Sequence, residues 1–288
     1  MTKHVFLIGH PVGHSVSPAF QQAGFDWCDL DVCYQAIDVD YSSLYNIVST
    51  LRGNEVIGAN VTVPHKETVV ALLDVLDENA RLIGAVNTIE NRDGVLIGYN
   101  TDALGFVMAL KEEASFDPLG KTALVLGAGG AARAVVVALA GAGVKSLVIA
   151  NRTLGRANVL ADGVRHIIRS VEAVDLHTDS MYSIAKNSQI IVNCTTVGMS
   201  GSIGQNDTLI EANLIPSNAL VCDLVYNPLE TPILRDAKKA GAQVLGGLPM
   251  LVYQGGASFK IWTGREAPIK IMFEAAEKAF EASLGVEN

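Results

Sequence analysis

The sequence predicts an α/β protein of two domains, each carrying a mostly parallel sheet. Three observations lead there. Apolar, strand-like runs alternate with helical patterns along most of the chain. A stretch rich in Pro and Gly, "ASFDPLGK" at 114–121, interrupts the rhythm, and a fresh strand–helix–strand unit starts after it. The last segment, 266–284, is an amphipathic helix with no strand after it, so it must pack back on an earlier domain.

Taken in order, "HVFLIG" reads as a strand and "SPAFQQAGFDW" as a helix, with Pro18 fitting a first turn and Ser17 an N-cap. "VCYQAIDV" and "YSSLYNIVSTL" repeat the pair. "VIGANVTV" is a third strand, its end at Ala59–Val63 rich in β-branched residues and stopped by Pro64, and "KETVVALLDVL" has helical spacing. In "VNTIENRDGVLIGYN" the "NRDG" between two short runs marks a hairpin. Beyond 121, "TALVL", "SLVIA", "SQIIVNC", "NALVCDLV" and "AQVLGG" are strands separated by helical stretches. The tail places Ile269, Met272, Phe273, Ala276 and Phe280 on one face. The expected division is 1–103 completed by 247–288, and 104–246.

The chain has 288 residues, 49% of them hydrophobic and 18% charged, enough to bury two cores. Its net charge of −9 argues against a nucleic-acid or anionic-membrane partner. No apolar run approaches the roughly 20 residues of a membrane span. Cys28, Cys33, Cys194 and Cys222 form no CxxC pair and, with no secretory signal at the start, read as reduced thiols of a cytoplasmic protein. His10 and His14 are separated by Pro11 and Gly13 and share no helical face, so no metal site is expected.

"LVLGAGGAARA" carries Gly127, Gly129 and Ala132 as G-x-G-x-x-A between a strand and a helix, with Ala128, Gly130 and Ala131 completing the turn. That context is what gives the pattern meaning: the glycines let backbone approach a pyrophosphate at a helix N-terminus. At the end of the next strand stands Asn151, where a carboxylate would bind ribose hydroxyls, followed by Arg152, Thr153 and Arg156. Guanidinium groups at a helix N-terminus oppose the macrodipole unless an anion joins them, so a 2′-phosphate, and hence NADP(H), is expected.

"GHPVGHSVSP", "GANVTVPHKE", "GAVNT", "GYNTD", "GAGGAARA", "NRTLGRA", "VNCTTVGM", "DLVYNPLETP" and "GGLPMLVYQGG", in this order from about 7 to 264, resemble the shikimate dehydrogenase family. The resemblance implies reversible NADPH-dependent reduction of 3-dehydroshikimate to shikimate, on the route through chorismate to aromatic amino acids. It also implies a Rossmann cofactor domain, a substrate domain, and an active site in the cleft where the two meet. Ser15 and Ser17 match carboxylate-binding serines, with Tyr226 on the same side. Asn60, Thr62, Lys66, Asn87, Asp102 and Gln254 match residues around the ring hydroxyls. Asn151, Arg152, Thr153 and Arg156 match the adenosine-phosphate pocket, and Thr195, Val197, Met199, Leu224 and Gly247 match positions that pack the cofactor. The partner is then a small molecule, and the protein a monomer or homodimer.

Two positions depart from the family: Ala103 and Gly256, where glycine and alanine are usual, both expected near the substrate. A quinate or aminoshikimate paralogue stays open, as does a non-catalytic NADP-binding sensor. A folate-linked dehydrogenase on a similar plan lacks support from the serine pair and the Gln254 segment. The chemistry asks for a proton as hydride reaches the ketone. Lys66, at a strand end before a helical pattern, is expected to donate it, with Asp102 positioning lysine and substrate. Asn60 and Thr62, two apart on one strand face, are expected to orient the ring hydroxyls beside it.

Overall fold

The computed structural model of the chain describes residues 1–285. It divides into two compact units, Met1–Gly105 together with the chain from Leu251, and Phe106–Met250. The Pro- and Gly-rich stretch 114–121 therefore lies inside the second unit rather than between the two.

The first unit opens with β1 (Lys3–Gly9), α1 (Ser17–Trp27), β2 (Val32–Asp38), α2 (Leu44–Thr50) and β3 (Val56–Val61). Then come β4 (Val75–Leu76), α3 (Glu78–Ile83), β5 (Thr88–Arg92), β6 (Val95–Tyr99) and the start of α4 (Asp102–Glu112). The strands form one sheet in the order β2-β1-β3-β5-β6-β4. β5 runs antiparallel to both neighbours, and the other pairings are parallel. The β5–β6 turn explains the reversal: Asp93 and Gly94 both have positive φ, 53° and 88°, as a two-residue hairpin turn requires.

Two expectations fail here. The third strand ends at Val61, and residues 62–67 form a turn. "KETVVALLDVL" is not an α-helix but a short 3₁₀ helix at Thr68–Leu72 leading into β4. Asp74 decides this through partners distant in sequence. Its carboxylate accepts the Leu96 N–H at 2.8 Å and both guanidinium arms of Arg52, at 2.5 and 3.1 Å, drawing the chain to the sheet edge. α3 was not foreseen, although Asp77 caps it through the Ala80 N–H at 2.7 Å and Gly84 closes it at φ 69°.

The second unit contains β7 (Thr122–Leu126), α5 (Gly130–Gly141), β8 (Ser146–Asn151), α6 (Leu154–Val164), β9 (Val171–Asp175) and α7 (Met181–Lys186). It continues with β10 (Ile190–Asn193), β11 (Leu220–Asp223), α8 (Pro232–Lys239) and β12 (Gln243–Leu245). All six strands are parallel, in the order β12-β11-β10-β7-β8-β9. β10 and β11 are buried throughout, so they read as unbroken apolar runs. Edge strand β9 has only two of its five residues buried, and the sequence reading passed over it.

α9 (Gly247–Thr263) begins in the second unit and α10 (Ile269–Gly285) ends the first. The tail does return: α10 packs on α1. One face of the first sheet is covered by Val5, Leu7, Phe25, Tyr34 and Phe259, with the Phe25 and Phe259 rings 5.0 Å apart. Burying such rings contributes about 1.5–3 kcal/mol each. Among the described residues no helix is long and apolar enough to cross a membrane.

Candidate active site

Lys66 sits in the turn after β3, tied down on both sides. Its carbonyl accepts the Val86 N–H at 2.8 Å, while the buried His65 ring is hydrogen-bonded through Nε2 to the Val39 carbonyl at 2.5 Å. The Lys66 ammonium meets Asp102 Oδ2 at 2.6 Å, with 15% of the lysine side chain and 4% of the aspartate side chain exposed. Asp102 is the first residue of α4, and its other oxygen accepts from Asn87 Nδ2 at 2.9 Å. The carboxylate is thus aimed from two sides, and the lysine is the more exposed partner of the pair.

Asn87 gathers the remaining groups. Its Nδ2 also lies within hydrogen-bond distance of Thr101 Oγ1 and Gln254 Oε1, at 2.8 and 2.9 Å, so its two hydrogens are shared among three acceptors, and its Oδ1 accepts the Thr101 N–H at 2.8 Å. Gln254 reaches this point because α4 and α9 cross closely: a Cβ on Gly105 would lie 2.7 Å from the Gln254 backbone nitrogen. Below lies a layer absent from the sequence reading. Ser258 Oγ bonds Thr88 Oγ1 at 2.7 Å and Thr101 Oγ1 at 3.2 Å. It also receives Asn60 Nδ2 at 3.1 Å and donates to the Gln254 carbonyl at 3.0 Å. Tyr34, whose hydroxyl pKa burial pushes far up, donates to Asn60 Oδ1 at 2.8 Å.

Asn60 and Thr62 do not share one strand face, since β3 stops between them. Asn60 is buried and its amide is bonded to Tyr34, the Asn87 carbonyl, Thr88 and Ser258, so it braces the network. Thr62 lies past the strand end, its backbone N–H on the Ile8 carbonyl and its methyl group against Gly9, and does not share Asn60's setting. Ser17 is not the N-cap of α1. Val16 holds that position without a side-chain bond, and Ser17 is the first helical residue. Ser15 Oγ accepts the Ser17 N–H at 3.2 Å, so the two hydroxyl-bearing residues form one local turn at the start of α1.

The departures at Ala103 and Gly256 also resolve. A Cβ on Gly256 would meet Ile269 and Ala267, so that glycine serves the α9–α10 junction and not the polar network. Ala103 is half-buried, one residue into α4 from Asp102.

In the second unit the glycine turn has the form a nucleotide needs. Gly127 has φ +109°, and a Cβ there would be 3.1 Å from the Thr195 methyl and 3.3 Å from the Cys194 backbone. Gly129, the N-cap of α5, has extended backbone, and a Cβ there would meet nothing within 4 Å. The mouth of a 12-residue helix is therefore open to an anion, with Ala128, Gly130 and Ala131 around it. At the end of β8 Asn151 turns its amide onto the Thr153 carbonyl at 2.9 Å, and Arg152, Thr153 and Arg156 are exposed at the start of α6. An adenosine 2′-phosphate fits this donor set. Thr195, Val197, Met199, Leu224 and Tyr226 lie on the loops after β10 and β11, and a Cβ on Gly247 would press on the Leu224 carbonyl.

Tyr34, Thr101, Ser258 and, in the second unit, Asn193, Asp223 and Thr231 are the polar residues that sequence reasoning missed. For Ser258 the signal was present: it stands one helical turn after Gln254.

Comparison with known proteins places three family models along the chain. They are a shikimate dehydrogenase substrate-binding domain at 7–89, a shikimate/quinate 5-dehydrogenase model at 110–223 and a shikimate 5′-dehydrogenase C-terminal domain at 247–277. The shikimate dehydrogenase (NADP+) of Moorella thermoacetica is 46% identical over 98% of this chain and 95% of its own. That of Methanopyrus kandleri is 44% identical over 95% and 94%. A crystal structure of shikimate 5-dehydrogenase from Thermus thermophilus with NADP(H) and shikimate has a TM-score of 0.86 at 39% identity, covering 96% of this chain and all of that one (100%).

Proposed function

The chain belongs to the shikimate dehydrogenase family, and on that premise we propose that it catalyses the reversible, NADPH-dependent reduction of 3-dehydroshikimate to shikimate. It is an NADP-dependent oxidoreductase acting on a CH–OH group. The observation that carries the mechanism is the half-enclosed Lys66–Asp102 pair at 2.6 Å within a field of neutral amide and hydroxyl groups.

The cofactor, when bound, supplies hydride to the ring ketone. Negative charge then gathers on the ketone oxygen, and the Lys66 ammonium delivers a proton to it as the charge develops. In the reverse direction the neutral amine removes the proton of the alcohol. Asp102 keeps the lysine in one orientation and offers its carboxylate to a neighbouring ring hydroxyl. Asn87 and Gln254 supply matched amide groups, each held by protein contacts before substrate arrives, so little ordering is left to do on binding. Ser15 and Ser17 receive the ring carboxylate, and Tyr226 is the residue of the second unit we assign to substrate. The glycines at 127, 129 and 130 with Ala128 and Ala131 cradle the pyrophosphate, while Asn151, Arg152, Thr153 and Arg156 take the 2′-phosphate. Thr195, Val197, Met199, Leu224 and Gly247 pack the rest of the nucleotide. Four free cysteines support a cytoplasmic setting, and we expect a monomer or homodimer.

The test is direct. Purified protein with NADP+ should generate NADPH absorbance with shikimate at a kcat/KM well above that with quinate, and above that with NAD+ and shikimate. Equal or higher turnover of quinate would move the substrate, and preference for NAD+ would move the cofactor.

A further inference from the structure

The loops that carry Thr195, Val197, Met199 and Leu224 converge on one carboxylate that the proposed mechanism does not use. Asp223 ends β11 and is fully buried, 0% exposed. Its Oδ1 accepts Asn193 Nδ2 at 2.9 Å and the Val225 N–H at 3.0 Å, and its Oδ2 accepts Thr231 Oγ1 at 2.5 Å. Asn193 passes the constraint on. Its Oδ1 accepts both the N–H and the Oγ1–H of Thr195, at 3.0 and 2.7 Å, and its Nδ2 also reaches the Val197 carbonyl at 3.2 Å. Thr195 Oγ1 in turn accepts the Val197 N–H at 3.1 Å. The two loops also touch at Gly198, where a Cβ would lie 3.3 Å from Thr231 Cβ and 3.2 Å from Pro232 Cδ.

We propose that Asp223 is a positioning residue of the nucleotide site, its carboxylate locking the loop 194–199 to the loop 224–231 so that Thr195, Val197, Met199 and Leu224 form one preset surface. The inference rests on the reading that this unit binds NADP(H). A buried carboxylate is a costly way to fill space, because an unpaired charge there loses its hydration. Burial pushes the Asp223 carboxyl up to about 6, against the three hydrogen bonds that favour its charged form. The neighbouring thiols of Cys194 and Cys222 are pushed up by burial and stay neutral. The charged groups of α8 point elsewhere: Arg235 is exposed, Lys238 pairs with Glu230, and Lys239 with Asp236. Apolar residues of this size would fill the volume without joining three donors from a strand end, a loop and a helix start. The carboxylate is retained for that junction.

The chemistry predicts which substitution is tolerated. In Asp223→Asn, Oδ1 still accepts from Asn193 and Val225, and the new Nδ2 donates to a Thr231 hydroxyl turned round to accept. In Asp223→Ala all three donors lose their acceptor. Thr231→Val removes a single donor and keeps the carboxylate.

The full-length variants should be checked for folding by circular dichroism. NADPH affinity is then measured by fluorescence titration, and kcat and KM for NADP+ and shikimate by steady-state kinetics. Asp223→Ala should weaken NADPH and raise the NADP+ KM roughly ten-fold or more, with the shikimate KM within about two-fold of wild type. Asp223→Asn should recover most of this loss, and Thr231→Val should weaken NADPH by several-fold. Wild-type NADPH affinity in folded Asp223→Ala overturns the inference. If Asp223→Ala does not fold, wild-type affinity in Thr231→Val overturns it. Equal loss in the shikimate and NADP+ KM values, or no recovery in Asp223→Asn, reduces Asp223 to general stability and also overturns it. Failure of the wild type to bind NADPH would sink the cofactor reading itself, a result distinct from these.

Discussion

Around Lys66 the polar groups are side chains, each positioned by another side chain: Asp102 by Asn87, Asn87 by Thr101 and Gln254, and the bracing Asn60 by Tyr34 and Ser258. At the start of α5 the corresponding work falls to backbone, and the informative side chains are those that glycine leaves out. The first arrangement suits a small ring whose identity lies in the positions of its hydroxyls. The second suits a diphosphate, which is common to many nucleotides and needs only N–H groups and space. Loss of one side chain in the first region should therefore alter chemistry or fit. In the second region, discrimination should come from the few side chains at its rim.

The sharpest break is at Lys66. Replacing it by alanine should lower kcat roughly 10²- to 10⁴-fold with a modest change in KM, measured across the pH range. Retention of more than about a tenth of the wild-type kcat would make Lys66–Asp102 a structural ion pair.

Next in size is the pH response of the buried carboxyl in the second unit. Asp223 is raised to about 6 when folded, against an ordinary value near 4, so the folded chain holds its proton more tightly. The stability this gives is complete below about pH 4 and is lost as pH rises through about 6. Asp223→Asn cannot lose it. The stability of the variant relative to wild type should therefore increase by about 2–3 kcal/mol from acid to neutral pH, read by urea unfolding.

At the nucleotide rim, Arg152→Ala should cost NADPH about 1.5–3 kcal/mol in kcat/KM and leave NADH nearly untouched. Parallel loss with both cofactors would remove the 2′-phosphate from the argument. In the first region Ser258→Ala should lower stability by about 1–3 kcal/mol, since Thr88 and Asn60 each lose a buried partner. A calorimetric Tm checks this. Gly256→Ala should be mildest for function, about 1–3 kcal/mol in stability with kinetics intact, because the tip of Ile269 and, by less, Ala267 must give way.

Much of the architecture was legible because it rests on local chemistry. Asp93–Gly94 could only be a tight turn, and "LVLGAGG" could only join a strand to a helix with room for backbone. The segment after Lys66 was not legible, because its helical spacing was overridden by the distant pairings of Asp74 with Arg52 and Leu96. In the site, Lys66, Asp102, Asn87 and Gln254 were found, and they do come together. The shared face expected for Asn60 and Thr62 fails for a physical reason: two residues apart on a strand share a face only while the strand lasts, and β3 stops at Val61. Tyr34 stayed hidden because a hydroxyl in an apolar run carries no sign of the partner that the fold brings to it, whereas the helical spacing of Ser258 from Gln254 was a signal left unused.

The hydroxyl layer under the site bears on how such a protein can change over generations. With the Ser258 hydrogen directed to the Gln254 carbonyl, Ser258 accepts from its threonine neighbours, and the hydrogens of Thr88 and Thr101 must adopt an order consistent with that. Removing one hydroxyl reorders the others, and effects within the set should not add. A double-mutant cycle on Thr88→Val and Ser258→Ala would read this as a coupling. Where that coupling favours the complete set, a single substitution in this layer costs more than the one hydroxyl it removes. Drift should therefore be slower in these three positions than their modest, uncharged side chains suggest, and when they change they should change together.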